Sequence, residues 1–201
     1  HADWLIVACG GAAGGKLGGV RDGYELLKPL GHKTTALHPA LVQLLTAPEY
    51  PRALKGVRAD CRMRLRADGR TLQEDAGEAQ FTETGVSGPV AFTLSRAAGQ
   101  TQGAELLLDF LRDYPAPQVR ALLQTRRAAF PALAGEELLS GMLHPRLGKT
   151  LCHACGFGAP PLASVSDVAL DALVNSIKYF SLPVTGVSGF ESAQVTAGGV
   201  R

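Results

Sequence analysis

Glycine dominates the start of the chain, where a short apolar run ends in a loop of small residues that carries one lysine. The run extends from Trp4 to Cys9, and Gly10-Gly11-Ala12-Ala13-Gly14-Gly15-Lys16 follows it. Glycine has no Cβ and adopts positive φ without strain, so such a loop lets the backbone approach a phosphate or a flavin closely. Because the run is short and apolar, we predict a buried strand over residues 4–9 that leads into this loop.

The spacing of the loop is also that of a phosphate-binding P-loop, in which Gly is followed by four residues and then Gly-Lys. Such a loop next needs a Ser or Thr hydroxyl for Mg²⁺ and the start of a helix. Here Leu17 and Gly18-Gly19 follow, and they supply neither. A Gly-x-Gly-x-x-Gly dinucleotide motif is missing as well, since Ala12 stands at its second glycine. A nucleotide hydrolase is therefore disfavoured, while a flexible linker and a cofactor contact both stay open.

The end of the chain mirrors its beginning. Ala193-Gln194-Val195-Thr196-Ala197 leads into Gly198-Gly199, and the chain starts at His1 rather than Met, almost directly within the apolar run. A strand without neighbours needs partners. We therefore expect that the two ends belong together, that an inserted domain lies between them, and that partner strands belong to a longer parent protein.

Two serines lie in segments that begin like the nucleophile elbow of a hydrolase. These segments are Gly85-Val86-Ser87-Gly88 and Gly186-Val187-Ser188-Gly189, but Pro89 and Phe190 stand where the last glycine of that motif belongs. We expect Ser87 to be the N-cap of a helix and Ser188 to lie in a turn.

One cysteine pair has the two-residue gap of a zinc or redox site. It is Cys152-His153-Ala154-Cys155, and no second ligand pair is evident in the sequence. In a helix the two thiols would lie about one turn apart in apolar surroundings. We therefore favour buried free thiols and assign no metal site.

The clearest local pattern is a strict alternation over residues 57–67. One face carries Val57, Ala59, Cys61, Met63 and Leu65, and the other carries Arg58, Asp60, Arg62, Arg64 and Arg66. Asp68-Gly69 then predicts a hairpin turn. The basic face could bind an anionic partner, which would make the chain a stand-alone binding module. We favour a solvated strand face, because no aromatic residues alternate with the arginines as stacking platforms would require.

The remaining segments predict an α+β fold. Extended segments are expected at 34–46 with an interruption at Pro39, and at 70–74, 76–82, 104–111, 182–187 and 194–196. Helices are expected at 22–31, 90–98, 118–130, 136–143, 146–155 and 167–180, with Asp22 and Ser166 among the N-caps. Antiparallel strands joined by such a hairpin are typical of a small β-barrel. The helices between residues 113 and 180 predict a helical subdomain inserted in that barrel.

Composition sets broad limits on function. The chain has 201 residues, 46% of them hydrophobic and 19% charged, with a formal net charge of +2 and four cysteines. That charge is too small to indicate nucleic acid or an anionic membrane as partner. No apolar run approaches the roughly 18 residues of a membrane span, and no signal segment begins the chain. We therefore expect a cytoplasmic protein with reduced thiols.

The ordered combination of short motifs resembles the BaiN-like family of FAD-dependent oxidoreductases, also known as aminoacetone-oxidase-like flavoproteins. The order and spacing match along nearly the whole chain. The matching segments are Ile6-Val7-Ala8-Cys9-Gly10-Gly11, Lys16-Leu17-Gly18, Asp22-Gly23-Tyr24, Gly31-His32, Pro39-Ala40-Leu41-Val42, Phe81-Thr82, Gly85-Val86-Ser87-Gly88-Pro89, Leu94-Ser95-Arg96, Gly189-Phe190-Glu191 and 193–200.

The resemblance implies a division of the chain. In that family an FAD-binding domain is interrupted by an insert made of a β-barrel and a helical part. By analogy, residues 1–22 would be a stub of the FAD-binding domain, and 23–112 with 181–192 would form the barrel. Residues 113–180 would form the helical subdomain, and 193–201 the return crossing.

The resemblance also implies a cofactor contact. Gly10 and Gly11 would approach the FAD, and Thr196 with Gly198 and Gly199 would return near the flavin ring. This chain has Cys9 where the family usually has Thr, and residues 12–15 lack the usual Ser and Pro. The expected role is an insert that covers the flavin and shapes access of a small-molecule substrate. Its expected partner is the missing FAD-binding domain rather than nucleic acid or a membrane.

The segments that should hold the FAD pyrophosphate and close the flavin site are not found in these 201 residues. The chain alone is therefore expected to bind little or no FAD and to be inactive. No residue is assigned as catalytic acid, base or nucleophile.

Overall fold

The computed structural model describes residues 2–201 and contains both helices and strands. The helices are α1 Asp22–Leu27, α2 Glu49–Ala53, α3 Pro89–Gly99, α4 Ala116–Ala129, α5 Pro145–Ala154 and α6 Asp167–Lys178. The strands are β1 His38–Ala40, β2 Leu44–Thr46, β3 Arg58–Ala67, β4 Arg70–Phe81, β5 Gly85–Ser87, β6 Glu105–Asp109, β7 Phe180–Val187 and β8 Val195–Ala197. Short 3-10 turns occur at Gly15–Leu17, Lys28–Leu30, Gly135–Glu137 and Leu162–Ser164.

The strands form a closed barrel in the order β2-β5-β4-β3-β6-β7, with β2 also paired to β7. All of these pairings are antiparallel. Closure pairs every strand on both sides, so no edge of the barrel is left open. The predicted α+β fold with a small antiparallel barrel is confirmed.

The β3–β4 hairpin is the longest pairing and follows the predicted alternation. Cys61, Met63 and Leu65 are fully buried inside the barrel. Asp68 and Gly69 both have positive φ, 49° and 74°, which is the backbone of the tight turns that suit a twisted hairpin. The two strands predicted at 70–74 and 76–82 are one continuous strand, β4.

Helix α3 packs on the barrel through Val90, Ala91 and Leu94, which belong to its core. The predicted N-cap was wrong. Ser87 lies in β5, where it pairs with Gln80, and Gly88 precedes the helix with φ 99°. A Cβ on Gly88 would lie 2.7 Å from the carbonyl oxygen of Glu78, so the close approach of β4 also favours glycine there.

The helical subdomain shares one continuous core with the barrel, and α4, α5 and α6 pack their apolar faces into it. Ser166 is the predicted N-cap of α6, since its side chain accepts a hydrogen bond from the amide of Ala169. The helix predicted at 136–143 was wrong and is only a 3-10 turn at Gly135–Glu137, because the chain turns at Gly141 with φ 79°. None of the helices in residues 2–201 combines the length and apolar character that a membrane crossing needs.

Three boundaries near the start of the chain differ from the predictions. The strand expected at 4–9 does not form, because no strand among residues 2–201 lies beside it to complete a hydrogen-bond ladder. The break in 34–46 falls at Leu41, whose φ is 50°, while Pro39 lies within β1. Asp22 is the first residue of α1 rather than its N-cap. Pro29 lies in the 3-10 turn Lys28–Leu30, which directly follows α1.

Candidate functional site

The glycine loop near the start of the chain contacts the segment that follows the last barrel strand, near the end of the chain. The backbone amide of Ala13 donates a hydrogen bond of 3.0 Å to Thr196 Oγ1. The next amide, that of Gly14, donates to the carbonyl oxygen of Phe190 at 2.9 Å. These contacts hold the glycine loop against the segment that leads back out of the barrel.

The returning segment is anchored separately by the stretch before the barrel. β8 pairs with β1 in a two-stranded antiparallel sheet, with Pro39 opposite Thr196. Beyond β8, the amide of Thr35 donates to the carbonyl oxygen of Gly199 at 2.8 Å, and the amide of Gly199 donates to Thr35 Oγ1 at 2.9 Å. Thr196 is thus fixed by backbone pairing, while its side chain reaches the glycine loop.

The glycines predicted as cofactor contacts differ in how much room their surroundings leave for a side chain. Gly10 has φ 78°, and a Cβ placed on it would meet nothing within 4 Å. A Cβ on Gly11 would lie 2.9 Å from Tyr24 Oη and 3.2 Å from Thr196 Oγ1. Gly198 has φ 91°, and its Cβ would overlap the carbonyl oxygen of Ala36, so chain packing alone requires glycine there.

A hollow of about 350 Å³ opens where these segments meet. Its lining includes Gly10, Gly11, Ala13, Tyr24, Gln194 and Thr196. A second hollow of about 530 Å³ shares part of this wall and continues past Gly18, Gly19 and Glu191. The structure therefore brings Gly10, Gly11 and Thr196 together, whereas Gly198 and Gly199 line neither hollow. Whether these five residues contact a cofactor stays a prediction.

Tyr24 is the residue that sequence reasoning did not select. It lies in α1 and turns its hydroxyl toward Gly11. The sequence contained one indication of this role, because Asp22-Gly23-Tyr24 follows the glycine loop directly. However, no pattern in the neighbouring residues showed that the helix turns back onto the loop. Gly23 enables this return, since a Cβ there would overlap Cys9 Sγ.

The glycine loop does not have the geometry of a P-loop. Gly15–Leu17 forms a single 3-10 turn, closed by hydrogen bonds from the amides of Leu17 and Gly19 to the carbonyl oxygen of Gly14. The next helix starts only at Asp22. Lys16 is exposed rather than directed over a nest of amides. These features agree with the interpretation that disfavoured a nucleotide hydrolase.

The cysteines of the helical subdomain are free thiols. Burial raises the pKa of the Cys152 thiol from 9.0 to about 12, and burial also raises the pKa of Cys155. A raised pKa disfavours the thiolate that metal binding or redox exchange requires. Within residues 2–201, no three His, Cys, Asp or Glu side chains are grouped as ligands for a metal.

The arginines on the outer face of β3 are ion-paired with their neighbours. Arg62 and Arg64 both contact Glu74 of β4. Arg58 pairs with Glu78 at 3.3 Å, and Arg66 lies 3.7 Å from Glu105 of β6. The adjoining strands thus supply carboxylates that offset the positive charge, as expected for the solvated face of a strand.

Large apolar side chains are exposed near the glycine loop. Trp4 is 90% exposed, Ile6 88% and Leu17 93%. Leu5, Leu26 and Leu30 are also exposed. Single exposed apolar residues are common on protein surfaces, but a concentration within one segment is typical of an interaction site.

Comparisons with known proteins identify relatives over the whole of this arrangement. The family model described as "HI0933-like protein barrel and H2TH domain" matches residues 38–195. A "3-dehydro-bile acid delta(4,6)-reductase" from Clostridium scindens is 34% identical over 205 residues, covering 100% of this chain and 50% of the relative. A "Ribosomal RNA dihydrouridine synthase" from Haemophilus influenzae is 24% identical over 198 residues, covering 98% of this chain and 47% of the relative. The chain thus spans about half the length of the curated relatives it matches.

Proposed function

Since the chain belongs to the HI0933-like family of flavoproteins, we propose that it is the insert of an FAD-dependent oxidoreductase, where it covers the flavin and shapes substrate access. The observation that carries the proposal is the hydrogen bond of 3.0 Å between the amide of Ala13 and Thr196 Oγ1. An inserted domain must begin and end at neighbouring points, so that the host domain on either side is not distorted. The meeting of residues 11–14 with residues 194–196 meets that requirement.

The partner in this proposal is the FAD-binding domain of the same parent chain. The exposed side chains of Trp4, Ile6 and Leu17 precede the barrel and lie on the segment that would join the two domains. Burying such groups against a second domain is favourable by about 1.5–3 kcal/mol for each fully buried large side chain. The relatives are about twice as long as the chain, which leaves room for a domain of this kind.

The small sheet of β1 and β8 supports the same arrangement. It has two strands, and within residues 2–201 no further strand pairs with its outer edges. A two-stranded ribbon alone is marginally stable in water and needs packing or additional strands. Helix α3 packs against β1, and the FAD-binding domain would support the ribbon on the side where the chain enters and leaves.

The hollow at the crossing fits part of an FAD molecule. Its volume of about 350 Å³ is at the lower end of the roughly 300–1,000 Å³ of pockets that enclose a drug-sized ligand, and FAD is larger than that. Gly11 lines this hollow, and its missing side chain lets Tyr24 approach the loop closely, since a Cβ would lie 2.9 Å from Tyr24 Oη. Gly10 and Gly11 would then contact the cofactor through their backbone, and Thr196 would hold the loop beside it.

When bound, FAD would supply the hydride or electron transfer, so the protein's part is binding, orientation and exclusion of water. The insert would cover one side of the cofactor and leave a path for substrate through the adjoining hollows. We assign no catalytic acid, base or nucleophile within this chain.

We infer that the parent reduces a small molecule. One relative is named a reductase, and the product named for the other, dihydrouridine, is uridine with two added hydrogens, so both names describe reductions. In these 201 residues the net charge is only +2 and the arginines of β3 are paired with carboxylates, so we favour a small molecule over RNA as the substrate. We place the protein in the cytoplasm, as expected from its sequence.

The test compares the 201-residue chain with the full-length protein that carries it. Both are purified without added cofactor, and flavin is measured by visible absorbance against protein concentration. The full-length protein should be yellow with one flavin per chain, and the shorter chain should retain little or none even after incubation with FAD. A full-length protein without flavin, or a short chain with stoichiometric flavin, would contradict the proposal.

A further inference from the structure

We propose that the hydroxyl groups of Tyr24 and Thr196 together bind one carbonyl oxygen of a planar conjugated ligand in the hollow beside Gly11. This inference rests on the proposed function, because the ligand is either the flavin or the compound that it reduces. The chemistry is the same in both cases, namely a conjugated carbonyl oxygen that accepts two hydrogen bonds.

The two hydroxyls lie close to each other beside Gly11. Each is within 3.2 Å of the position that a Cβ of residue 11 would take, so the two oxygens are at most about 6 Å apart, and one acceptor oxygen can contact both. The residues come from three separate segments, the glycine loop, α1 and β8. Convergence of distant segments on an open space of about 350 Å³ is characteristic of a binding site.

Both hydroxyls have a proton to donate. Thr196 Oγ1 already accepts the hydrogen bond from the amide of Ala13, which leaves its own proton for another partner. Tyr24 lines the hollow, and its phenolic hydroxyl carries one proton that it can donate. A ligand oxygen between them would therefore replace water at two donors.

The charge of the hollow also favours an oxygen acceptor. No carboxylate lines it, and the remaining polar side chain on its wall is the amide of Gln194. Reduction of a conjugated carbonyl compound increases the negative charge on the carbonyl oxygen, and fixed donors stabilise such charge. A site with donors and no acidic group would strengthen its hold on the oxygen as that charge develops.

The hydrophobic core does not account for the position of Tyr24. Its ring is not among the side chains of the hydrophobic core or those packed against it. It lies on a helix of six residues that touches the glycine loop, and the residue is half-buried. Binding a ligand gives this side chain a role that the fold does not.

The experiment uses the full-length protein with its flavin. Tyr24→Phe removes one hydroxyl and keeps the ring, while Tyr179→Phe, on an exposed tyrosine outside the hollow, is the matched control. Two dissociation constants are measured for each variant. The Kd of FAD is measured by flavin fluorescence on protein from which the flavin has been removed. The Kd of cyclohex-2-enone is measured on the flavin-loaded protein from the change in the flavin absorption spectrum. Loss of one hydrogen bond should weaken the affected Kd about five- to tenfold.

The two arms identify the source of the oxygen. Weaker FAD binding in Tyr24→Phe assigns the contact to a flavin carbonyl, and weaker enone binding with unchanged FAD binding assigns it to the substrate. Thr196→Ser, which keeps the hydroxyl, should retain the wild-type constant in whichever arm responds. If the wild-type protein holds flavin but Tyr24→Phe changes neither constant, the inference is overturned while the proposed function stands. A wild-type protein without flavin overturns the proposed function, and the inference falls with it.

Discussion

Asp109 of β6 and Lys178 of α6 form a buried ion pair between the barrel and the helical subdomain. Lys178 Nζ lies 2.7 Å from Asp109 Oδ2, and the two side chains are only 8% and 6% exposed, respectively. The ammonium group also donates to the carbonyl oxygens of Leu111 and Tyr114. All three of its protons are therefore used, and the connection between the two parts of the fold is fully hydrogen-bonded.

Replacing Lys178 with methionine should destabilise the protein strongly. The substitution leaves Asp109 buried without its counter-charge, which typically costs about 3–5 kcal/mol. The free energy of unfolding in urea measures this, with Arg120→Ala as the control. That residue forms an exposed pair with Asp171, so its loss should change stability little. Similar effects of the two substitutions would contradict the role given to the buried pair.

The double variant Asp109→Asn with Lys178→Met should recover part of that loss. It removes both charges, so no uncompensated carboxylate remains inside the protein. The same urea titration measures the recovery. If the double variant is less stable than Lys178→Met by the full cost of a second independent substitution, the two residues are not coupled.

Gly198→Ala should destabilise the segment that follows β8 more than Gly31→Ala destabilises the turn that follows α1. Both glycines have nearly the same backbone, φ 91° and φ 88°, which costs alanine roughly 1–2 kcal/mol. Only at Gly198 would the new Cβ also overlap the carbonyl oxygen of Ala36, whereas Gly31 faces open space. The difference between the melting temperatures of the two variants measures the destabilisation that this overlap adds. Equal melting temperatures would show that the close approach of residue 36 has no energetic consequence.

Thr196→Val should loosen the glycine loop without unfolding the barrel. Valine keeps the shape and removes the oxygen that accepts the hydrogen bond from Ala13, a net loss of about 1 kcal/mol. Amide hydrogen exchange at Ala13 should become faster, while the amides of β3 keep their protection. Thr196→Ser retains the acceptor and should exchange like the wild type. Unchanged exchange at Ala13 in Thr196→Val would show that this contact does not hold the loop.

Stability should decline at alkaline pH because of the buried thiols. Burial raises the pKa of Cys61 from 9.0 to about 12, so the folded state keeps a proton that the unfolded chain releases. The stabilisation from this thiol is therefore complete below about pH 9 and is lost as the pH rises toward 12. Urea unfolding between pH 8 and pH 11 measures the slope, and Cys61→Ala should reduce it. An unchanged slope in that variant would assign the pH dependence to other groups.

The barrel itself was largely predictable because its strongest patterns are local. The alternation of β3 and the Asp68-Gly69 turn depend on neighbours within a few residues, and both appear as predicted. The cap of α6 at Ser166 is equally local. Where a local pattern was ambiguous, tertiary packing decided the result. Ser87 had the composition of a helix cap, but pairing with Gln80 placed it in a strand.

The sequence by itself determined the fold class, the β3–β4 hairpin of the barrel, three of the four helices predicted between residues 113 and 180 and, through its ordered motifs, the family. These depend on side-chain periodicity and turn chemistry, which act over a few residues. Only the tertiary structure decided that Ala13 meets Thr196 across 183 residues, and that Tyr24 turns back onto Gly11. It also decided that the apolar run from Trp4 has no partner strand among residues 2–201. Such contacts depend on how the closed barrel brings its two ends together, and no local pattern specifies that distance.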